Sequence, residues 1–217
     1  MFEFLEYAID NLDRIQRLSL EHLTYVGFSL GYALLIGIPL GILTTRYRKL
    51  ESFVMNIVSM FYTIPSLAMF GLLLPWVGMG DTNAIIALTL YCLLPIVQNT
   101  HVGIVNIDQN VLQSARGMGM SDLQILLKIE IPLSLSIIFA GIRTATVNTI
   151  GITTIAAFIG AGGLGTLVFR GLSTISLRQI LLGSIPVLLM AIIADWLLKY
   201  LENRFTLAER LKKRNAA

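Results

Sequence analysis

Three stretches of this chain, residues 23–44, 52–80 and 82–107, contain no Asp, Glu, Lys or Arg. Two more, 131–169 and 179–198, contain one charge each, Arg143 and Asp195. An apolar run of roughly 18–20 residues is what a helix needs to cross a bilayer. The chain is therefore expected to be an all-α membrane protein with five transmembrane helices, at about 23–44, 52–74, 83–106, 133–158 and 179–200, with ends uncertain by roughly 2–4 residues. The alternative splits 131–169 around Gly151 and gives six. Charged residues make up 13% of the chain and hydrophobic residues 55%, whereas a soluble domain carries roughly 25% charged residues. That deficit excludes a large soluble core, and a length of 217 residues leaves room for a single membrane domain over 1–217. The first run is read as a span and not a cleaved leader: it is too long, follows an acidic segment and lacks a small-residue cleavage site.

Short basic loops stay on the cytoplasmic side. Residues 1–21 carry Glu3, Glu6, Asp10, Asp13 and Glu21 against Arg14 and Arg17, while Arg46, Arg48 and Lys49 follow the first span. The N-terminus is thus expected outside and the 45–51 loop inside. The 75–81 hairpin then falls outside, 108–132 inside with Arg116 and Lys128, and the C-terminal tail inside with Lys199, Arg204, Arg210, Lys212, Lys213 and Arg214. Arg170 and Arg178, in the outer loop before the last span, go against the rule. A six-span chain would place the basic tail outside, which favours five. The tail reads as an anchor to acidic lipid headgroups. The lipid bilayer is thus a partner; nucleic acid is not expected to be one.

Residues 108–132, DQNVLQSARGMGMSDLQILLKIEIP, form the one long polar segment between apolar runs. Asp108 can cap a short helix ending at Gly117–Gly119. Ser121 and Gln124 have capping-box spacing for a second helix, which Pro132 is expected to limit. Val111, Leu112, Ala115, Leu123, Leu126 and Leu127 are spaced to give these helices an apolar face. Some of them are expected to face the chain's own spans and the rest a partner.

Several motifs do not carry chemistry. Gly160-Ala-Gly162-Gly163-Leu-Gly165 matches the letters of a dinucleotide fingerprint, but a membrane helix precedes it and the next acid is Asp195. These glycines are expected to allow a tight turn and close packing. The chain has no phosphate-binding G-x-x-x-x-G-K-[ST] sequence. His22 and His101 lie far apart without a cysteine or acid cluster, so no metal site is expected. Cys92 is the single cysteine and reads as a packed side chain. No enzymatic nucleophile has a suitable context. Pro39, Pro65, Pro95 and Pro186 fall one in each of four spans, where they are expected to kink helices. Arg143 and Asp195 are expensive inside a bilayer unless paired or hydrated. Two readings stay open for them: residues lining a polar pathway, or an intramembrane ion pair.

The polar segment has a recognisable spacing. Gln113-Ser114-Ala115 is followed at fixed intervals by Gly119 and by Ile129-Glu130-Ile131-Pro132. This resembles the EAA loop of ABC importer permeases, E-A-A, three residues, G, nine residues, I-x-L-P. The departures are Gln113 for Glu, Ser114 for Ala and Ile131 for Leu. TIPSLAMFGLL at 63–73, ALTLYCLLPIVQNTHVGI at 87–104, AGIRTAT at 140–146 and AFIGAGGLG at 157–165 are similar to the osmoprotectant-uptake branch of that family. That branch imports glycine betaine, carnitine, choline and related solutes. An arginine would be expected where Gln98 stands. Methionine-uptake permeases are the nearest confusable group, and an ion-coupled secondary carrier is a more distant alternative.

The resemblance implies alternating access driven from the cytoplasm. ATPase coupling would fall to Gln113, Ser114, Ala115, Gly119, Ile129, Ile131 and Pro132, with Gln113 lacking a charge that meets the ATPase in the family. Partners implied are two ATPase subunits, a second permease subunit (a copy or a paralogue) and an extracellular substrate-binding protein. The chain itself would hold no cofactor, since ATP and magnesium would sit on the ATPase. The expected location is the bacterial cytoplasmic membrane.

Overall fold

Apolar runs of about 20 residues satisfy their whole backbone within one segment, away from water, by coiling into helices. The computed structural model describes residues 2–205 and, among them, contains helices and no strands. The helices are α1 (Phe2–Asp10), α2 (Leu12–Arg46), α3 (Arg48–Thr63), α4 (Ser66–Val77), α5 (Asp81–Val105), α6 (Gln109–Gly117), α7 (Asp122–Ile125), α8 (Ile131–Ala156), α9 (Gly165–Ser173) and α10 (Leu177–Phe205). A π turn, Leu126–Glu130, joins α7 to α8, and a 3₁₀ turn, Ala157–Ile159, ends α8. Arg210, Lys212, Lys213 and Arg214 lie outside the described residues.

Among the described residues, four helical stretches are each long and apolar enough to cross a membrane: Leu12–Arg46, Asp81–Val105, Asp122–Ile159 and Leu177–Arg204. The fifth expected span, 52–74, is not one rod. It is the pair α3 and α4, bent by 104° at the break. The cause is local. Pro65 has no N–H and holds Ile64 extended, at φ −66° and ψ 128°. Tyr91 of α5 donates its hydroxyl to the carbonyl of Ile64 freed by the break. By contrast Pro39, Pro95 and Pro186 lie inside α2, α5 and α10 without ending them. Gly151 lies inside the uninterrupted α8, so the six-span division is not what this chain adopts.

Two more expectations need correcting. Pro132 does not limit the second loop helix, because α7, the π turn and α8 follow one another without a break in the chain's winding. A proline in a helix lacks one hydrogen bond and crowds the preceding turn. The wider π turn just before it, closed by the Ile131 N–H on the Leu126 carbonyl, makes the room. Helix α9 was not foreseen: its short amphipathic sequence lies within what reads as an outer loop. It packs through Leu167 on Leu182 of α10, in a small core shared with Leu18 and Leu164.

The centre is α5, packed against α2 on one side and α8 on the other. Small residues allow this closeness. A Cβ added to Gly41 would lie 2.5 Å from Thr100 Cβ, and one added to Gly141 would lie 2.6 Å from the Pro95 carbonyl oxygen. Ala33, Val54, Cys92, Ile96, Val97 and Ala145 form the core where α2, α3, α5 and α8 meet. The outer face of α10 is exposed and apolar at Leu188, Leu189, Ile192, Ile193, Trp196 and Leu197, as a bilayer-facing surface requires.

Candidate functional site

The bundle has two distinct ends. At one, α2 finishes at Arg46 and meets the 106–132 segment. At the other, the Gly80 N–H donates to the Ile159 carbonyl at 3.0 Å, and the Gly163 N–H donates to Glu21 Oε2 at 3.1 Å. Tyr25 donates to Asp81 Oδ1 at 2.8 Å on the same side. The glycine-rich run is part of this second end. Gly160, Gly162 and Gly163 all have positive φ, and His22 is buried beside Gly163 with Nε2 on the Ile150 carbonyl at 3.0 Å. His101 belongs to the first end, where it contacts Thr44 at 3.0 Å and Glu51 at 3.4 Å.

The polar segment folds from its own sequence. Asp108 accepts from the Asn110 N–H at 2.8 Å and starts α6. Ser121 and Gln124 form both bonds of a capping box and start α7. Between them Gly119, at φ +81°, reverses the chain. The Gly119 N–H bonds the Arg116 carbonyl at 2.9 Å, and the Met120 N–H bonds the Ala115 carbonyl at 3.2 Å. This pair of bonds is the Schellman ending of a helix, which places a glycine four residues after Ala115. The alanine–glycine spacing is thus a turn requirement in its own right. Ala115 is fully buried with Ile107, Leu112 and Ile125, and Met120 and Ile129 close over them.

This small core divides the apolar side chains. Leu112 and Ala115 face inward, and Leu126 is half-buried, while Val111, Leu123 and Leu127 face out, joined by Met118. Gln113 is exposed at the surface of α6 beside Ser114, whose hydroxyl bonds the Asn110 carbonyl at 2.8 Å. Ile129, Ile131 and Pro132 are half-buried where the segment turns into α8. The result is a two-helix platform with its own small core and exposed apolar side chains on the outside.

Motif reasoning missed Glu130, which occupies the variable position of the Ile129–Pro132 signature. It is 2% exposed and accepts from both terminal nitrogens of Arg46, one of them at 3.0 Å. The available signal was a charge at an otherwise apolar helix entrance, opposite a basic residue ending the first span. Arg143 and Asp195 are brought together: Nε lies 3.4 Å from Oδ1, and Glu202 lies 3.8 Å from the guanidinium. They flank a cavity of about 250 Å³ that also holds Thr144 and Asn148. Asn148 in turn donates to the Tyr62 hydroxyl at 3.0 Å, next to the break between α3 and α4.

Comparison with known proteins places this architecture. Residues 37–207 match the family described as binding-protein-dependent transport system inner membrane component. The chain is 41% identical to the osmoprotectant import permease protein OsmW of Salmonella typhimurium, covering 91% of this chain and 94% of that protein. It is 45% identical to the glycine betaine/carnitine/choline transport system permease protein OpuCD of Bacillus subtilis, covering 83% and 80%. Its fold superposes on a chain of the MetNI methionine ABC transporter in an inward-facing conformation with a TM-score of 0.81 and 21% identity, covering 88% of this chain and 96% of that one. The chain belongs to the family of inner membrane components of binding-protein-dependent transport systems.

Proposed function

We propose that the chain is the permease subunit of an ATP-binding-cassette importer that carries a quaternary ammonium osmoprotectant, glycine betaine, carnitine or choline, into the cell by alternating access. The observation that carries the reading is the 108–132 platform, which buries one apolar set in a small core of its own with Ile107 and leaves Val111, Met118, Leu123 and Leu127 outward. An exposed apolar patch rimmed by polar residues marks an interaction surface. The chain has no phosphate-binding loop of its own, so the ATPase is a separate subunit that docks here, with ATP and magnesium bound on it. Gln113, Ser114 and Gly119 belong to this contact, Ala115 holds its core, and Ile129, Ile131 and Pro132 deliver it to α8. The platform faces the cytoplasm, as the basic loops direct.

The names of the relatives support the substrate class. The likeness to the methionine transporter supports the fold alone. An ion-coupled carrier needs a membrane acid free to bind its ion, and Asp195 is engaged with Arg143. The full assembly comprises two ATPase subunits, two permease subunits related by a two-fold axis, and an external binding protein. The end of the bundle opposite the platform exposes Trp76 and Met79 for that protein.

The test is assembly with the ATPase subunit of an osmoprotectant importer from the same cell. ATP hydrolysis by the purified complex rises when the binding protein and its solute are added. Failure to assemble with that ATPase contradicts the reading. Replacing both Leu123 and Leu127 with Asp is expected to abolish co-purification of the ATPase while leaving membrane insertion unchanged. Full ATPase recovery with that variant would move the docking surface elsewhere.

A further inference from the structure

We propose that Arg46 and Glu130 form a rigid strut that delivers the movement of the 108–132 platform to the first span as well as to α8. The inference rests on the reading of the platform as the ATPase-docking element. The platform continues into α8 through the π turn Leu126–Glu130, with Pro132 immediately after it. Such a turn has wide, i to i+5 bonding and marks functional positions, and the proline removes a further backbone donor. The covalent path from platform to α8 therefore departs from regular α-helical bonding at 126–132. A platform that swung about this point would move without moving the span.

Glu130 closes that freedom. It is the last residue of the π turn, it is almost wholly buried, and its carboxylate takes both terminal nitrogens of Arg46. Two parallel bonds between planar groups fix orientation as well as distance. Arg46 is the last residue of α2, a single helix from Leu12 that packs along α5. Ser134 donates to the carbonyls of Glu130 and Ile131 at 2.7 and 3.1 Å, stiffening the first turn of α8. Gly103 of α5 lies so close that a Cβ there would stand 3.0 Å from Ser134 Cβ. Arg116 and Gln109 of α6 line the same cavity of about 250 Å³ as Arg46 and Glu130, so the pair sits directly beneath the platform. A buried ion pair is often replaceable by apolar residues without loss of stability; what an apolar pair cannot supply is this fixed orientation between two helices. Glu130 and Arg46 are thus positioning residues for coupling.

The experiment uses the complete complex of permease, ATPase and binding protein in proteoliposomes, with radiolabelled glycine betaine as the probe. Import and ATP hydrolysis are measured together. Glu130→Gln is expected to leave assembly and hydrolysis in place and to lower solute imported per ATP by roughly tenfold, within the range of mutations that alter coupling. Arg46→Gln has the larger effect, because it leaves a buried carboxylate unpaired while the reverse change leaves a half-exposed arginine. The reversed pair, Arg46→Glu with Glu130→Arg, recovers a substantial part of the import per ATP. Unchanged import per ATP in Glu130→Gln overturns the proposal. So does a proportional fall of import and hydrolysis in both single variants with no recovery in the reversed pair, which is the signature of a purely structural contact. If Arg46→Gln does not assemble, Glu130→Gln and the reversed pair decide alone. Failure of the docking reading shows separately, as an unmodified chain that does not assemble with the ATPase.

Discussion

Gly165→Ala is expected to destabilise the folded protein strongly. The added methyl carbon would stand 1.9 Å from the Thr154 carbonyl oxygen and 2.9 Å from Ala157 Cβ. Thr154 lies in the last turn of α8 and Ala157 opens the 3₁₀ turn, so α9 or the 3₁₀ turn has to move. Overpacking of this kind is worth about 1–3 kcal/mol and more where backbone is the obstacle, a large share of a typical stability of roughly 5–15 kcal/mol. The measurement is the yield of monodisperse protein and its unfolding temperature in detergent. Gly151→Ala is the matched control. It lies in the interior of α8 with nothing within 4 Å of its added methyl, and its effect is expected within about 0.5 kcal/mol. Equal behaviour of the two variants would mean that the first residue of α9 does not lie against the Thr154 carbonyl at that close distance.

Gly119→Val is expected to fold and insert but to lose transport. Nothing lies within 4 Å of a Cβ at this position, so the obstacle is the backbone at φ +81°, not space. A side chain in this left-handed conformation costs roughly 1–2 kcal/mol, and β-branching makes it worse. The Schellman ending of α6 loosens, and α7 leaves its place on Ile107 and Leu112. An energy of that size corresponds to about a 5- to 30-fold change in the population of the docked platform. Solute import per ATP is therefore expected to fall by that order in Gly119→Val. In Gly119→Asn it is retained better, since Asn tolerates the left-handed region. Import unchanged in Gly119→Val would count against the platform as the coupling element.

The spans were legible because a charge-free run has one physical destination, and the caps of α6 and α7 were legible because Asp108, Ser121 and Gln124 act on neighbouring backbone. What stayed hidden depended on contacts distant in sequence. The 104° break at Thr63–Ser66 shows as a single proline in an apolar run, the same signal given by Pro39 and Pro95, which end nothing. The break at Pro65 is accommodated by a residue distant in sequence, Tyr91, whose hydroxyl donates to the freed Ile64 carbonyl. The π turn was hidden because its residues read as good helix formers. Glu130 was hidden because its partner, Arg46, lies at the end of another span. For the same reason the sequence left Arg143 and Asp195 as two readings, while the fold sets them side by side with Glu202 near.

The division of the loop's apolar residues follows from a similar cause. Helical periodicity identifies a face but not which of two neighbours covers it. Leu112 and Ala115 pack with Ile107 and Ile125 inside the segment itself, and Val111, Leu123 and Leu127 lie outward. The departure at Gln113 falls on the exposed side of α6, where it leaves the internal packing intact.

The most direct measurement is uptake of radiolabelled glycine betaine into proteoliposomes holding this chain with its ATPase, with the binding protein supplied outside and ATP inside. The account predicts accumulation that needs both ATP and the binding protein and that excess carnitine or choline reduces. Accumulation driven by an ion gradient without ATP, or ATP-driven uptake of methionine with none of glycine betaine, would contradict it.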